Sequence, residues 1–114
     1  MAPPIGGDPL RGHLDLLVMA VLRGAPAHGY DVAQRLRLRS RGVLDVGEGT
    51  LYPALHRLEQ EGLLASRWQP GEGGPRRRVY RLTAKGSRRL DGRRREWSAL
   101  STAIDGVIEG ESAS

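Results

Sequence analysis

The sequence predicts a mostly α-helical fold with one small β-hairpin, and three observations lead to this prediction. Residues 46–64 place apolar side chains at the i, i+3, i+4, i+7 spacing of a helix that is buried on one side. Residues 70–75 are rich in proline and glycine and separate two strand-like runs. Residues 84–108 then carry a second, longer helical pattern. We therefore expect short helices, then a hairpin, then one long helix.

Composition limits the class of protein. The 114 residues suffice for one domain, which buries roughly two thirds of its unfolded surface. The net charge of +5 favours an acidic polymer or an anionic membrane as partner, although a genome biased toward arginine would give the same excess. No apolar run approaches the roughly 20 residues that span a bilayer, and residues 1–9 do not resemble a signal peptide. We expect a cytoplasmic protein with no membrane partner.

The residue pattern of the N-terminal part of the chain predicts a flexible arm followed by two helices. Residues 1–9 are rich in proline and glycine and form the arm, whereas residues 10–23 are apolar nearly all round a helix, which predicts a central position. The second helix runs from residue 28 or 29 to Arg39. Its Arg35 and Arg39 lie outside a narrow apolar stripe, where they could face a phosphate backbone or only water. Residues 43–46 could add a minor strand to the hairpin.

The third helix is predicted to begin near Glu48 with an irregular first turn. Pro53 has no N–H, so it fits without cost only near a helix start, and a Thr50 N-cap is the alternative. Gly62 is expected to end the helix in a left-handed conformation. The face away from the apolar stripe carries polar tips that suit a nucleic-acid groove, with solvent exposure or ordinary packing as the alternative. The candidate DNA-contacting residues of this helix are Thr50, Tyr52, Pro53, His56, Arg57 and Gln60.

The hairpin combines a projecting tip with three consecutive arginines. Arg76, Arg77 and Arg78 suit phosphate contacts or insertion into a narrow minor groove, and one should be structural because alternate strand residues face opposite ways. A polar-faced helix followed by a basic hairpin is the winged helix-turn-helix, which predicts a DNA-binding domain over residues 10–83. Three aromatic side chains are expected to pack in its core. They are Tyr30, Trp68 and Tyr80.

Residues 84–108 predict a C-terminal dimerisation helix that begins after a Thr83 N-cap. Its apolar residues follow heptad spacing, and they cover too little of the helix to pack on a core this small, so a second chain should cover them. The candidate dimer contacts are Leu90, Trp97, Leu100, Ile104 and Val107. Residues 109–114 are expected to be a disordered tail.

Catalysis and metal binding find no support in the sequence. There is no paired-carboxylate cleft and no Ser–His–Asp arrangement, and the glycines of residues 71–74 lie in a hairpin rather than before a helix. The three histidines lie on different predicted elements, and the chain has no cysteine. We therefore predict no enzyme activity, no metal site and no cofactor.

These stretches together resemble the PadR family of bacterial transcriptional regulators in its compact form. The matching residues are 14–17 (LDLL), 28–30 (HGY), 49–59 (GTLYPALHRLE), 61–63 (EGL), 76–83 (RRRVYRLT) and Trp97. The resemblance implies a dimeric repressor whose terminal helix is exchanged across the dimer. It also implies a flat aromatic inducer, because in some compact relatives a tryptophan at the position of Trp97 stacks on such ligands. Gly47 departs from the pattern, since relatives commonly carry a capping serine, threonine or asparagine there.

The favoured function is therefore a ligand-responsive repressor that binds double-stranded DNA as a homodimer. Each subunit would fill one half-site of an inverted repeat, with the half-sites roughly 10 base pairs apart. The long helix would set the distance between the two recognition helices, and a ligand near Trp97 would change that distance. Two alternatives remain, a winged-helix module that binds acidic proteins and a non-specific nucleic-acid binder.

Overall fold

The computed structural model describes residues 12–71 and 73–110. The predicted N-terminal arm, the first two residues of the first predicted helix and the tail beyond residue 110 lie outside these ranges. Within the described ranges, the helices and strands follow one another in an order that confirms the predicted fold class. The elements are α1 (Leu14–Gly24), β1 (Ala27–His28), α2 (Gly29–Arg39), α3 (Glu48–Gln60), β2 (Leu64–Gly71), β3 (Gly74–Leu82) and α4 (Ala84–Ile108).

Helix α1 is the central element, as its nearly uniform apolar surface predicts. Val18 and Met19 are 0% and 1% exposed, and the helix contacts α2, α3, α4 and β3. The apolar stripe of α3 packs into the same core through Leu51, Leu55 and Leu58. Burying these side chains supplies most of the driving force for a domain of this size.

Helix α3 begins at Glu48, which confirms the favoured prediction over a Thr50 cap. Gly47 is the N-cap residue and offers no side-chain hydrogen bond. Its carbonyl instead accepts from the backbone N–H groups of Thr50 and Leu51, at 3.1 and 3.0 Å. Pro53 lies inside the helix and leaves the carbonyl four residues earlier without its usual helical donor. The start of α3 is therefore held by its own backbone.

The end of α3 is fixed by Gly62, whose φ of 77° confirms the predicted left-handed position. Its N–H donates to the Glu59 carbonyl at 3.0 Å, and the Leu63 N–H donates to the Leu58 carbonyl at 3.0 Å. This pair of bonds is the Schellman motif, which reverses the chain with the last helical carbonyls satisfied. The chain can therefore pass from α3 to the hairpin without an intervening loop.

Strands β2 and β3 form an antiparallel hairpin, called the wing below, and β1 extends it in the order β1-β3-β2. The prediction that residues 43–46 supply this extra strand is wrong. Leu44 forms only a single bridge, and Val46 turns into the core with 5% exposure. β1 takes the place beside β3 because Ala27 pairs with Tyr80 while burying its own side chain.

The junction between the wing and α4 is tightly bonded. Thr83 caps α4 as predicted, because its hydroxyl oxygen accepts from the Gly86 N–H at 3.0 Å and the hydroxyl donates to the Gly62 carbonyl at 2.7 Å. Gly86 itself lies against the Leu63 carbonyl, and a Cβ built there would be 2.1 Å from that oxygen. Only glycine allows α4 to approach the end of α3 this closely.

The first half of α4 belongs to the core of its own chain. Leu90 is 1% exposed, so the prediction that it contacts a second chain is wrong. The next residue, Asp91, accepts a hydrogen bond from Arg23 of α1 at 2.6 Å, which lowers the pKa of Asp91 below its ordinary value of 3.8. Heptad spacing alone could not show that Leu90 packs in its own chain while the later heptad positions do not. The difference arises because α1 covers only the first turns of α4.

The second half of α4 leaves its apolar residues uncovered by the described part of the chain. A helix of 25 residues is about 37 Å long, and the molecule extends 62 Å along its longest axis. The four apolar residues at heptad spacing are 44–82% exposed. We call them the α4 seam: Trp97, Leu100, Ile104 and Val107. No helix within the described ranges is both long enough and apolar enough to cross a membrane.

Candidate nucleic-acid interface

One side of α3 carries polar and small side chains that project into solvent. Gly49, Pro53, His56 and Gln60 recur at helical spacing opposite the buried stripe, and all are exposed. The side-chain nitrogens of His56 and Gln60 lie 3.3 Å apart, so these two candidates for base contact are within hydrogen-bonding distance of each other. This is the face that the sequence predicts to enter a major groove, and its contact with DNA stays a prediction.

Tyr52 flanks this face on the side of α2 and is 42% exposed. Its ring packs on Gly29, where an added Cβ would lie 2.4 Å from Cε1. The neighbouring Tyr30 is 55% exposed and stacks on the His28 ring, so its predicted place in the core is wrong. Because Tyr30 lies two residues before the buried Val32, it projects from the opposite side of α2.

The wing divides its three arginines between two faces, as strand alternation requires. Arg76 and Arg78 lie on the same face as Trp68, with guanidinium carbons 5.9 and 5.7 Å from the tryptophan ring centroid. Arg77 lies on the other face, where its Nη1 is 2.9 Å from His28 Nε2. The predicted burial of Trp68 is wrong, since it is 54% exposed. Trp68 lies in the outer half of β2, away from the core, and the guanidinium groups of Arg76 and Arg78 cover part of its ring.

Arg78 is the structural member of the three. It donates to Glu59 of α3 at 2.8 Å and to the Ser66 hydroxyl oxygen at 2.7 Å. Its guanidinium also lies 5.9 Å from the ring of Tyr80, which is buried as predicted. Burial raises the pKa of the Tyr80 hydroxyl above its ordinary value of 10.0, and the Arg78 charge opposes the rise. Arg76 and Arg77 therefore remain the wing's candidates for phosphate contact.

The candidate DNA-contacting arginines of the helices α2 and α3 bond to groups within the protein. Arg35 donates to the carbonyls of Ala25 and Pro26 at 2.8 and 3.3 Å, and Arg39 reaches the Ala20 carbonyl at 3.5 Å. Both thereby tie α2 to the C-terminal end of α1. Arg57 is paired with Asp15 at the start of α1. The structure does not bring these three guanidinium groups together with the wing.

A groove of about 490 Å³ separates the start of α2 from the wing. Its walls combine aromatic rings with the three guanidinium groups, and most of these positions were absent from the predicted site. The lining residues are His28, Gly29, Tyr30, Tyr52, Trp68, Arg76, Arg77, Arg78 and Tyr80. The sequence did not predict that β1 and the Trp68 face of the wing form part of this site. They come together only because β3 pairs with both β1 and β2.

A second feature lies between α1 and α4. Trp97 contacts the His13 ring edge-on, with the two ring centroids 4.9 Å apart, and is 44% exposed. Leu16, Arg93 and Leu100 complete a shallow cleft beside it. Trp97 thus presents part of its ring on the α4 seam.

A helix-turn-helix with a polar outer face, placed beside a basic wing, defines a winged helix-turn-helix protein of the DNA-binding class. Comparison with known proteins names the family. A family model described as "Transcriptional regulator PadR-like family" matches residues 18–92. The chain belongs to this family, so it is a DNA-binding transcriptional regulator and not an enzyme. The family resemblance seen in the sequence is confirmed.

Individual relatives agree with this assignment. Transcriptional regulator Rv3488 of Mycobacterium tuberculosis is 44% identical over 79 residues, which cover 69% of this chain and 70% of that protein. A transcriptional regulator from Clostridium thermocellum superimposes with a TM-score of 0.79 at 29% identity, over 87% of this chain and 96% of the other. A PadR family regulator from Eggerthella lenta gives a TM-score of 0.77 at 36% identity, over 90% and 87% of the two chains.

Proposed function

We propose that the protein is a homodimeric repressor that binds an inverted-repeat operator in the cytoplasm through α3 and the wing. The supporting observation is that Tyr52, which flanks the outer face of α3, lines one groove together with the two available wing arginines. Two acidic groups beside this region are already paired, Glu59 with Arg78 and Asp31 with His28. The surface is therefore basic where a phosphate backbone would pass.

The α4 seam supports the homodimer. Three of its members are large side chains that are 44–49% exposed, and their spacing matches the a and d positions of a two-helix contact. A second copy of the chain offers the same seam, so a two-fold axis can cover both at once. Such a dimer would present two α3 helices to successive turns of the major groove, about 34–36 Å apart. Repression follows simply from occupancy, since a dimer on its site excludes other proteins.

The direct test is a fluorescence-anisotropy titration on a duplex from upstream of the protein's own gene. A scrambled duplex of equal length is titrated in parallel over a salt series. Binding about 10³-fold tighter to the native duplex, saturating at two chains per site, supports the dimeric regulator. Equal binding to both duplexes favours a non-specific binder. No binding to either duplex at low salt favours the protein-interaction module.

Arg76→Ala should weaken DNA binding without changing its sequence preference. Loss of one phosphate contact is expected to lower affinity about 5- to 10-fold and to reduce the slope of log affinity against log salt by about 1. The anisotropy titration at four or more salt concentrations measures both quantities. Arg95→Ala removes the same charge from the exposed outer side of α4 and should leave the slope unchanged. Identical slopes for Arg76→Ala and the wild type would show that Arg76 does not contact phosphate.

We also propose that a flat aromatic molecule binds at Trp97 and weakens DNA binding. The half-exposed ring lies on the α4 seam, so a molecule inserted there would alter how the two copies meet. A coupling of about 1–3 kcal/mol, or roughly 5- to 150-fold in affinity, would suffice for a response. The distance between the two α3 helices is the quantity that such a ligand would change.

Trp97→Ala should abolish this response while DNA binding persists. The probe is anthracene-9-carboxylate, a flat three-ring anion whose negative charge opposes intercalation into the duplex. It should quench Trp97 emission in a Trp68→Phe background and lower the affinity for the native duplex. In Trp97→Ala the same anion should leave the affinity unchanged, and light scattering checks that the variant is still a dimer. An undiminished effect of the anion in Trp97→Ala would exclude this site.

A further inference from the structure

Glu59 lies on α3, but its carboxylate is directed to the wing. One oxygen accepts a hydrogen bond from Arg78 Nη2 at 2.8 Å, and the other accepts from the Ser66 hydroxyl. Because Arg78 Nε also donates to Ser66 Oγ at 2.7 Å, the three side chains form a closed ring of hydrogen bonds. The side chains of Glu59 and Arg78 are 22% and 39% exposed. We call Glu59, Ser66 and Arg78 the wing clamp.

We infer that Glu59 is a positioning residue that fixes the angle between α3 and the wing, and thereby determines which base pairs are preferred beside each half-site. The inference rests on the proposed DNA-binding function. Arg78 joins Glu59 of α3 to Ser66 of β2, and its guanidinium also lies over the rings of Trp68 and Tyr80. Through Glu59, this one side chain links the recognition helix to both strands of the wing.

The position of the clamp makes it sensitive to small changes of angle. Ser66 lies near the base of the wing, and Gly71 at the end of β2 is five positions further along the strand. At about 3.3 Å per residue the end of β2 lies about 17 Å beyond the clamp, so a rotation of about 10° moves it by about 3 Å. That displacement is about half of the minor-groove width of about 6 Å.

The expected consequence is a change in sequence preference rather than only in affinity. Arg76 lies two residues beyond the clamp on β3 and moves with the wing tip. The width of a minor groove depends on its sequence, so an arginine held at a fixed position favours sequences of one width. A wing released from α3 would follow wide and narrow grooves alike. The base contacts of His56 and Gln60 would remain, because these residues do not take part in the clamp.

The test compares the wild type with Glu59→Gln on a duplex pool carrying 30 randomised base pairs, selected by binding and then sequenced. We expect both proteins to enrich the same central base pairs, with the preference at flanking positions falling about tenfold in Glu59→Gln. Glu61→Gln removes the same charge from an exposed position two residues away and should enrich the same sequences as the wild type. The exchange of charges in Glu59→Arg with Arg78→Glu should restore part of the flanking preference.

A second readout needs no DNA. In a Trp97→Phe background Trp68 is the only tryptophan, and Arg78 lies against its ring. Time-resolved anisotropy of Trp68 should show faster local motion in Glu59→Gln, with the same melting temperature as Glu61→Gln to within a few degrees. Unchanged flanking preferences in Glu59→Gln would overturn this inference and leave the proposed function standing. A wild-type pool with no enrichment at all would overturn the proposed function and this inference with it.

Discussion

Replacing Gly86 by alanine is expected to lower the free energy of unfolding by about 2–3 kcal/mol, the upper part of the range for overpacking a core. The new methyl group would lie 2.1 Å from the Leu63 carbonyl oxygen and 2.6 Å from Leu82 Cδ1. The carbonyl cannot withdraw easily, because it accepts the Thr83 N–H at 3.1 Å. Relief therefore requires α4 to shift away from the end of α3, which would loosen the packing of Leu90.

Gly92→Ala is the matched control for this prediction. Gly92 lies in the same helix with nothing within 4 Å of an added Cβ, so alanine should stabilise the protein by up to about 1 kcal/mol through its helix propensity. Urea unfolding followed by circular dichroism measures both variants at one chain concentration, since dimerisation would add to the apparent stability. Equal midpoints for Gly86→Ala and Gly92→Ala would contradict the tight junction.

Ile104→Glu is expected to raise the dimer dissociation constant about 100-fold or more, equivalent to about 3 kcal/mol. Ile104 is 45% exposed at the middle of the α4 seam. In a symmetric dimer each chain would bring one carboxylate toward the same axis, so two like charges would lose water without gaining a partner. Loss of the dimer should also remove the advantage of two linked half-sites, and binding to the full operator should approach the affinity for a single half-site.

Thr102→Glu introduces the same charge on the other side of α4 and should leave the dimer intact. Sedimentation velocity over a concentration series measures the association of both variants, and anisotropy on a one-half-site duplex checks that α3 still binds. If Ile104→Glu sediments like the wild type, the seam is not the dimer contact. Failure of Ile104→Glu on the half-site duplex would mean that the variant is damaged elsewhere.

Local signals explain why much of the fold could be predicted from the sequence. Gly62 and Thr83 are recognisable as a helix end and a helix start because their preferred conformations depend on a few neighbouring residues. The α3 stripe follows from helical spacing alone. Leu90 was misplaced because its environment depends on how far α1 reaches along α4. The short strand β1 escaped prediction because two residues carry no periodicity, and only the exposed edge of β3 gives them a partner.

The candidate site was predicted less completely than the fold. The sequence indicated that one of three adjacent arginines would be structural, and the contacts identify it as Arg78. It did not reveal the part played by Glu59, because the register that places Ser66 opposite Tyr80 is a tertiary property. Trp68 was assigned to the core on its hydrophobicity. Its exposure follows from its distance along the hairpin, which no local pattern encodes.

The hydrogen bonds of Thr83 have a consequence for how this protein could diverge from its relatives. The same side chain caps α4 and holds the carbonyl of Gly62, so the helix proposed to read DNA and the helix proposed to pair the subunits meet without a linker. A sequence change that reorients α4 therefore also reorients α3. Exchange of α4 between two family members should transfer the preferred half-site spacing together with the choice of partner chain. If both proposals hold, pairing specificity and operator spacing would be inherited as one trait.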